Sequence, residues 1–488
     1  VGIMVGSGIF ASTGTSLKEA GAAGTCLIAW VSAGVLVALA SMCYVELGTT
    51  FPLASGDAEF LRLAYGEMAS FVFIWTNFWV LKPGSQAIIA TIFGQYMAAT
   101  VSGGKLLRGE EDDDASSSGV WLAKALAVLA IASLTCLNCL GVRSTANVQN
   151  GLTLLKVLLA TGIVIMALAY VGGGHTARAA ENLAISSSFD NFSAPGLGSA
   201  MIACLWAFDG WADVIPLVEE LENPAALLPR ILLVSIPVVA SLYLAVNLGY
   251  FCVLQLSEVR HSTAIAVSFA DHLGGRSASY AIASGVCLSA LGACNGSIMT
   301  GGRIFYAVAR PDEERERAMP AFLGVLNSKG APSRALLAQG AWGIVLILLP
   351  GSSFSSLLEY FGPVSWLFYA FTASSVLRLR KMYPDVPRPF QIPLSPLCPV
   401  LVVVMALTIT ASSLERDPLY CSIALVFVLL GVPVYLLRKQ KCAPMLNDRL
   451  LSASKSFSSN NSVAFDPDNA RGGGRGEEAT SASGSPAG

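Results

Sequence analysis

The chain has 488 residues, of which 54% are hydrophobic and only 13% are Asp, Glu, Lys or Arg. Soluble domains carry about 25% charged residues, so this composition excludes an ordinary soluble protein, and the high apolar content also excludes a disordered one. The formal net charge of −2 argues against a nucleic-acid partner, which would require a basic surface.

Apolar runs separated by Pro, Gly and charged residues predict an all-α membrane protein with about twelve membrane-spanning helices. The spans begin near residues 1, 24, 68, 120, 149, 196, 229, 278, 335, 355, 393 and 418, and they end near 16, 47, 100, 141, 172, 220, 256, 309, 350, 377, 413 and 437. Each is close to the roughly 20 residues that cross a bilayer as a helix. Span 1 starts inside hydrophobic sequence, so we expect its first turns to precede Val1.

The predicted spans make residues 1–437 a transmembrane domain, and the polar residues 438–488 predict a disordered tail. Fifteen Lys and Arg residues lie in one set of predicted loops and seven in the alternate set. Because basic residues favour cytoplasmic loops, this bias places both termini and the tail in the cytoplasm. We expect a multi-pass integral protein of the plasma membrane.

The first functional signal is a cluster of small residues inside span 1, formed by Gly6, Ser7 and Gly8 and followed by Ile9. A glycine costs about 0.8–1 kcal/mol relative to alanine in a helix, so two of them predict a break. Close packing of helices through small residues is the alternative explanation.

A second interruption is predicted in span 6, where the successive residues are Trp206, Ala207, Phe208, Asp209, Gly210 and Trp211. If the first ten spans are two five-helix repeats, the breaks in spans 1 and 6 correspond, and such a pair indicates a transporter binding site. The N–H groups at a half-helix N-terminus attract a carboxylate, and freed carbonyls accept from an ammonium. A zwitterionic amino acid satisfies both.

Asp209 predicts that the site accepts cationic side chains. A carboxylate at the bilayer centre costs at least about 2.5–3.5 kcal/mol, and a substrate cation at ~4 Å recovers about 4 kcal/mol at an effective dielectric of 20. The alternative is a protonated or helix-capping aspartate that does not contact substrate.

Several other charges lie within the predicted spans. Lys156 lies deep in span 5, where its ammonium either replaces a bound cation or reaches back to the lipid headgroups. Lys82 in span 3 either pairs with an acid or caps carbonyls, and the sequence does not identify its partner. Lys124, Glu46 and Arg303 lie near span ends and are interpreted as interface charges.

The sequence offers no metal, cofactor or catalytic centre. The three histidines, His175, His261 and His272, are isolated in predicted loops, and the 11 cysteines are scattered mainly along apolar segments. Zinc sites need closely spaced His and Cys ligands, and an enzyme needs a nucleophile near a base. We therefore expect neither metal nor cofactor, and no enzymatic activity.

Ordered motifs across residues 1 to about 437 resemble the L-type light subunits of heteromeric amino acid transporters, within the amino acid, polyamine and organocation superfamily. The resemblance rests on residues 6–10 (GSGIF), 44–50 (YVELGTT), 82–86 (KPGSQ), 148–150 (VQN), 209–211 (DGW), 219–224 (EELENP), 293–296 (ACNG) and 366–369 (WLFY). The DGW motif is most similar to the branch that exchanges cationic amino acids and cystine for neutral ones.

This resemblance implies two inverted five-helix repeats plus two further helices, with helices 1 and 6 broken at mid-membrane, and sodium-independent exchange. It also implies that the N–H groups of Ser7, Gly8 and Ile9 hold the substrate carboxylate. The carbonyls of Met4 and Trp206 would hold the substrate ammonium, with the Trp206 side chain as a gate. Lys156 would occupy the position of a former sodium ion.

One departure concerns partners. Animal light subunits bond a heavy chain through a cysteine between spans 3 and 4, whereas residues 101–119 contain none. This argues against a covalent heavy chain and leaves a non-covalent accessory subunit as the expected protein partner.

The leading hypothesis is a sodium-independent, alternating-access exchanger of cationic and large neutral L-amino acids. The alternative is a non-transporting amino acid sensor that uses the same site.

Overall fold

The computed structural model describes residues 4–52, 56–101, 113–190, 192–262, 264–309, 319–349, 352–416, 418–419 and 421–439. Over these residues every regular element is helical, without a single strand. Two compact units are distinguished, Val1–Val432 and Pro433–Gly488. Residues 440–488, which make up almost all of the predicted disordered tail, lie outside the described residues, and their disorder stays a prediction.

In the first half of the chain the described residues form seven α-helices. Their bounds are α1 Gly8–Ala20, α2 Ala23–Thr50, α3 Asp57–Tyr65, α4 Glu67–Thr76, α5 Lys82–Val101, α6 Asp113–Cys139 and α7 Val142–Gly172. A π-helical turn, Asn77–Leu81, joins α4 to α5 within predicted span 3. Such turns are rare and frequently accompany functional sites.

Nine further α-helices lie in the described part of the second half. Their bounds are α8 Ala177–Asn182, α9 Ala194–Ala207, α10 Pro224–Val253, α11 Leu256–His261, α12 Ile265–Ala309, α13 Ser333–Leu348, α14 Phe354–Met382, α15 Leu397–Arg416 and α16 Cys421–Lys439. A 3₁₀ helix, Ala212–Glu220, lies between α9 and α10. Gly275, with φ +62°, kinks α12 into two helical parts.

Seven of the described helices are long and apolar enough to cross a membrane, which supports a multi-pass integral membrane protein. They are Ala23–Thr50, Ser118–Cys139, Gly151–Gly172, Pro224–Val253, Ile265–Ala309, Leu397–Glu415 and Cys421–Lys439. The predicted spans 1 and 6 do not qualify as single helices, since α1 and α9 have only 13 and 14 residues. The total of twelve spans and the inverted repeats stay predictions.

Within Val1–Val432 the helices pack as two main groups. In the first group α1 packs on α9, α2 packs on α10, and α2 also contacts α9; in the second, α5 contacts α6 and α12, while α13 contacts α6 and α12. The interruption that follows α9 and the N-terminus of α1 therefore belong to one group, and the π-helical turn precedes α5 of the other. The contacts between these parts determine the geometry of the candidate site.

Candidate functional site

The helix of predicted span 6 is interrupted where the sequence predicts a break. Helix α9 ends at Ala207, and the 3₁₀ helix begins only at Ala212. Gly210 has φ +90°, a left-handed conformation that glycine adopts without the steric cost of a Cβ atom. The N–H of Asp209 donates to the Trp206 carbonyl over 2.9 Å, which closes the last turn.

The described part of span 1 begins with a non-helical segment. Met4, Gly6 and Ser7 precede the helix, and α1 starts at Gly8. The first N–H groups of an α-helix have no carbonyl within the helix to bond, so those of Gly8 and Ile9 are available to a ligand. Residues 1–3, which would hold the other side of this break, lie outside the described residues.

The segment at the start of α1 and the interruption that follows α9 contact each other directly. A methyl group on Gly8 would lie 2.5 Å from the Ala207 Cα, so only glycine fits there. The Tyr243 hydroxyl, from α10, lies 2.5 Å from the Met4 carbonyl oxygen and 2.9 Å from that of Ala207. The N-terminus of α1 and the C-terminus of α9 are thus held against one another by a close backbone approach and a shared hydroxyl.

The carbonyls predicted to bind an ammonium have protein donors in this conformation. The Met4 carbonyl accepts from the Gly6 N–H over 2.7 Å and from Tyr243 over 2.5 Å. The Trp206 carbonyl accepts from Asp209. A carbonyl oxygen has two lone pairs, so Trp206 retains acceptor capacity, whereas a ligand at Met4 would compete with Tyr243.

Two buried donors at the breaks have no hydrogen-bond partner among the described residues. They are the Ser7 hydroxyl and the Trp206 indole N–H. The Trp206 side chain is 6% exposed, and its ring packs edge-on against Phe354 of α14 with centroids 5.4 Å apart. Buried polar groups normally find a partner, so these donors mark the region as a place where a polar ligand would be stabilised.

Asp209 lines a small, partly open cavity whose polar wall also includes Asp57, Asn77, Lys82, Ser85 and Asp213. Its Oδ2 accepts from the Ser85 hydroxyl over 3.1 Å. The Lys82 ammonium pairs with the Asp213 carboxylate at 2.5 Å, which identifies the partner that the sequence left open. Asp213 was missed by the sequence analysis, although it follows Asp209 by four residues.

Asp57 differs from the other two carboxylates because it lies at the start of the connecting helix α3. Its Oδ1 accepts hydrogen bonds from the hydroxyls of Tyr44 and Thr372. Burial raises the pKa of the Asp57 carboxyl, which favours its neutral form. Asp57 is thus engaged by two hydroxyl donors, whereas Asp213 pairs directly with Lys82 and Asp209 accepts from Ser85.

Lys156 of α7 exposes none of its surface. Its Cε lies against α12, where a methyl group on Gly292 would come within 2.9 Å of it. A lysine that reaches the headgroups exposes its ammonium, so this burial favours the interpretation of Lys156 as an internal cation. Its replacement of a sodium ion stays a prediction.

Glu46 corrects a sequence-based interpretation. It is 2% exposed, and it accepts from Arg380 through Nε at 2.7 Å and Nη2 at 2.6 Å and from the Ile392 N–H at 2.8 Å. The interpretation of Glu46 as an interface charge is therefore wrong. Lys124 donates to the Ser352 hydroxyl over 3.0 Å.

The chain is similar in sequence to known proteins. A model of the amino acid permease family matches residues 1–434. The chain is 32% identical over 442 residues to the b(0,+)-type amino acid transporter 1 of Mus musculus, covering 90% of this chain and 85% of that relative. It is 34% identical over 451 residues to the large neutral amino acids transporter small subunit 2 of Rattus norvegicus, covering 91% and 80% respectively.

Proposed function

Since the chain belongs to the amino acid permease family, whose matched relatives are transporters and not enzymes, we propose that it transports L-amino acids by alternating-access exchange without sodium. The family resemblance inferred from the motifs is confirmed by these matches. The substrates we assign are cationic and large neutral amino acids. Two observations support this assignment: the relatives are a b(0,+)-type transporter and a large neutral amino acids transporter subunit, and Asp209 lies at the interruption of span 6.

The observation that carries this proposal is the contact between the two helix interruptions, where Gly8 meets Ala207. The N–H groups of Ser7, Gly8 and Ile9 would bind the substrate carboxylate, because the helix dipole favours an anion at an N-terminus. The carbonyls of Met4 and Trp206 would bind the substrate ammonium. At Met4 the ammonium would take the place of the Tyr243 hydroxyl.

The rest of the span 6 interruption would shape the space for the substrate side chain. The Trp206 ring would cover the occupied site, while Ala207 and Phe208 would flank it. Gly210 permits the turn that brings the Asp209 carboxylate to the cavity, where a cationic side chain would pair with it.

Sodium independence is supported by the fully buried Lys156. A cation that is part of the protein supplies the positive charge that a bound ion would otherwise bring, and it does so without a transmembrane ion gradient. We propose that Lys156 stabilises the packing of α7 on α12 in this way throughout the exchange cycle.

We further propose twelve spans in which the first ten form two inverted repeats, with both termini in the cytoplasm of a plasma-membrane protein. In support of the repeats, corresponding predicted spans contact each other in four pairs: α1 with α9, α2 with α10, α5 with α12, and α6 with α13. Because residues 101–119 contain no cysteine, any accessory subunit would bind non-covalently.

The test is uptake of radiolabelled arginine and leucine by the purified full chain in proteoliposomes. Internal unlabelled amino acid should accelerate uptake of both, and replacing external sodium with choline should leave the rates unchanged. Absence of this acceleration contradicts exchange, and uptake that requires sodium contradicts sodium independence. Binding of either amino acid without any flux would favour the sensor alternative.

Paired glycine variants supply the control. Gly8→Ala places a methyl group 2.5 Å from the Ala207 backbone and should abolish uptake of both amino acids. Gly172→Ala, at the end of α7, meets nothing within 4 Å and should transport normally. Normal uptake by Gly8→Ala would contradict a site at the contact of the two breaks.

A further inference from the structure

A buried ion pair lies beside the proposed side-chain site and involves residues with no role in binding the amino acid backbone. Lys82 opens α5 directly after the π-helical turn, and Asp213 lies in the first turn of the 3₁₀ helix that follows the span 6 break. Their side chains are 13% and 14% exposed, and the Lys82 Nζ lies 2.5 Å from Oδ1 of Asp213. Both residues line the cavity that Asp209 also lines.

The two helices meet through two successive contacts. Lys82 contacts Asp213, and one turn further along α5 the Ser85 hydroxyl donates to Asp209 over 3.1 Å. Residues three or four apart share one helix face, so this face of α5 meets both aspartates. Asp213 therefore pairs directly with a full positive charge, whereas the side-chain donor described for Asp209 is a neutral hydroxyl.

A third side chain shows that the cavity wall is rich in acceptors. Asn77, in the π-helical turn, is 5% exposed and lines the cavity, and its Oδ1 has no hydrogen-bond partner among the described residues. An ionised carboxylate and the oxygen of an amide both accept hydrogen bonds and donate none. The matching ligand group is a cationic donor such as an ammonium or a guanidinium.

We propose that Lys82 is a tethered counter-ion that sets how strongly the side-chain site attracts positive charge: it pairs with Asp213 and leaves Asp209 as the carboxylate for a substrate cation, while Asp57 is engaged by the hydroxyls of Tyr44 and Thr372. Lys82 and Asp213 are then specificity-determining residues. With Lys82 in place, the group formed by Asp209, Asp213 and Lys82 carries a net charge of −1, which a cationic side chain balances and a neutral one does not. Without Lys82 the site carries two uncompensated carboxylates and favours cations over neutral side chains.

This inference rests on the proposed transport function, and the experiment separates the two. Arginine and leucine uptake are measured in proteoliposomes for the wild type and for Lys82→Met. The ratio of kcat/KM for arginine to that for leucine should rise about tenfold or more in Lys82→Met, because an unpaired buried carboxylate penalises a neutral neighbour. A wild type that transports neither amino acid would refute the proposed function itself.

Further variants keep the test decisive if Lys82→Met is poorly folded. Lys82→Arg retains the charge and should keep the wild-type ratio, and the double variant Lys82→Met/Asp213→Asn restores the net charge and should return the ratio towards the wild type. Lys124→Met, which removes a lysine bonded to Ser352 away from this cavity, should leave the ratio unchanged. Binding is also measured by thermal stabilisation of each detergent-solubilised variant with arginine or leucine.

An unchanged ratio in Lys82→Met, or an equal loss for both substrates, would overturn the proposal. So would a double variant whose ratio stays as high as that of Lys82→Met, because charge balance would then not be the cause. If no Lys82 variant transports, the thermal stabilisation by each amino acid replaces the uptake ratio. Stabilisation by arginine relative to leucine should then rise in Lys82→Met, and an unchanged relative stabilisation would overturn the proposal.

Discussion

Asp209 shows how a single side chain can give a site its preference among substrates. It follows the last turn of α9, and its Oδ2 accepts from a neutral hydroxyl, that of Ser85, at 3.1 Å. A carboxylate in this position remains able to bind a cationic side chain that enters the cavity. A neutral side chain gains nothing from the charge, so the two substrate classes depend on Asp209 to different extents.

We predict that Asp209→Gly raises the KM for arginine roughly tenfold or more and changes that for leucine by less than about twofold, since a charge pair at ~4 Å is worth a few kcal/mol at an intermediate dielectric. Competition uptake in proteoliposomes measures both values. Ser85→Ala, which removes the hydroxyl and keeps the carboxylate, serves as the control and should retain arginine transport. Equal losses of arginine and leucine in Asp209→Gly would reject Asp209 as the residue that selects cations.

At the scale of the element, α10 connects the two interruptions through Tyr243. The Tyr243 ring packs at 5.6 Å from Trp30 and 5.0 Å from Phe208, and its hydroxyl reaches the carbonyls of Met4 and Ala207. Helix α10, which contains neither break, thereby fixes the position of Met4 relative to Ala207. The same hydroxyl occupies an acceptor that we assign to the substrate ammonium, so binding and packing compete at this point.

Tyr243→Phe should lower the free energy of unfolding by about 1 kcal/mol and increase the thermal stabilisation produced by leucine, because the ring stays while the hydroxyl that competes for Met4 is removed. Thermal unfolding of the detergent-solubilised protein with and without leucine measures both effects. Tyr250→Phe on the same helix removes a buried hydroxyl without a described partner and should change neither. A weaker response to leucine in Tyr243→Phe would show that the hydroxyl assists binding.

The elements also show what local sequence can and cannot predict. The sequence predicts the breaks at Gly8 and Gly210 because glycine is unfavourable within a helical apolar run. The π-helical turn Asn77–Leu81 is not predicted from the sequence, since Phe78 to Leu81 continue the apolar pattern of the span and the nearest breaker, Pro83, lies beyond the turn. Its consequence, the direction of Lys82 towards Asp213, depends on packing between α5 and another part of the chain and could not be inferred from spacing.

For the whole molecule, the long-range ion pairs are what the sequence leaves undetermined. Hydropathy located the apolar segments because each one is defined by its own residues. Glu46 and Arg380 are 334 residues apart, and nothing in either segment identifies the other as its partner. Charges near span ends resemble interface charges unless a tertiary contact buries them, and this is why the interpretation of Glu46 was wrong.

The Glu46 contacts join α2 to the last turn of α14 and to the connection that follows it. Arg380 binds both carboxylate oxygens, Arg388 lies 3.6 Å from one of them, and the Ile392 N–H donates to the other. Glu46 is buried, whereas Arg380 is 28% exposed, so part of its charge is screened by solvent. Loss of the carboxylate removes the acceptor of Arg380 and the nearby negative charge of Arg388, which keeps its backbone carbonyl acceptors, and it weakens the contact to the Ile392 N–H.

We predict that Glu46→Gln lowers the free energy of unfolding by about 1–3 kcal/mol, less than the loss expected for a fully buried pair because Arg380 is partly hydrated. Thermal unfolding in detergent measures the change. Glu181→Gln, which removes the 70%-exposed partner of Arg178, is the matched control and should have almost no effect. A Glu46→Gln variant as stable as this control would show that the contacts around Glu46 do not hold α2 to α14. Recovery of stability in the charge-swapped variant Glu46→Arg/Arg380→Glu would attribute the loss to the ion pair itself.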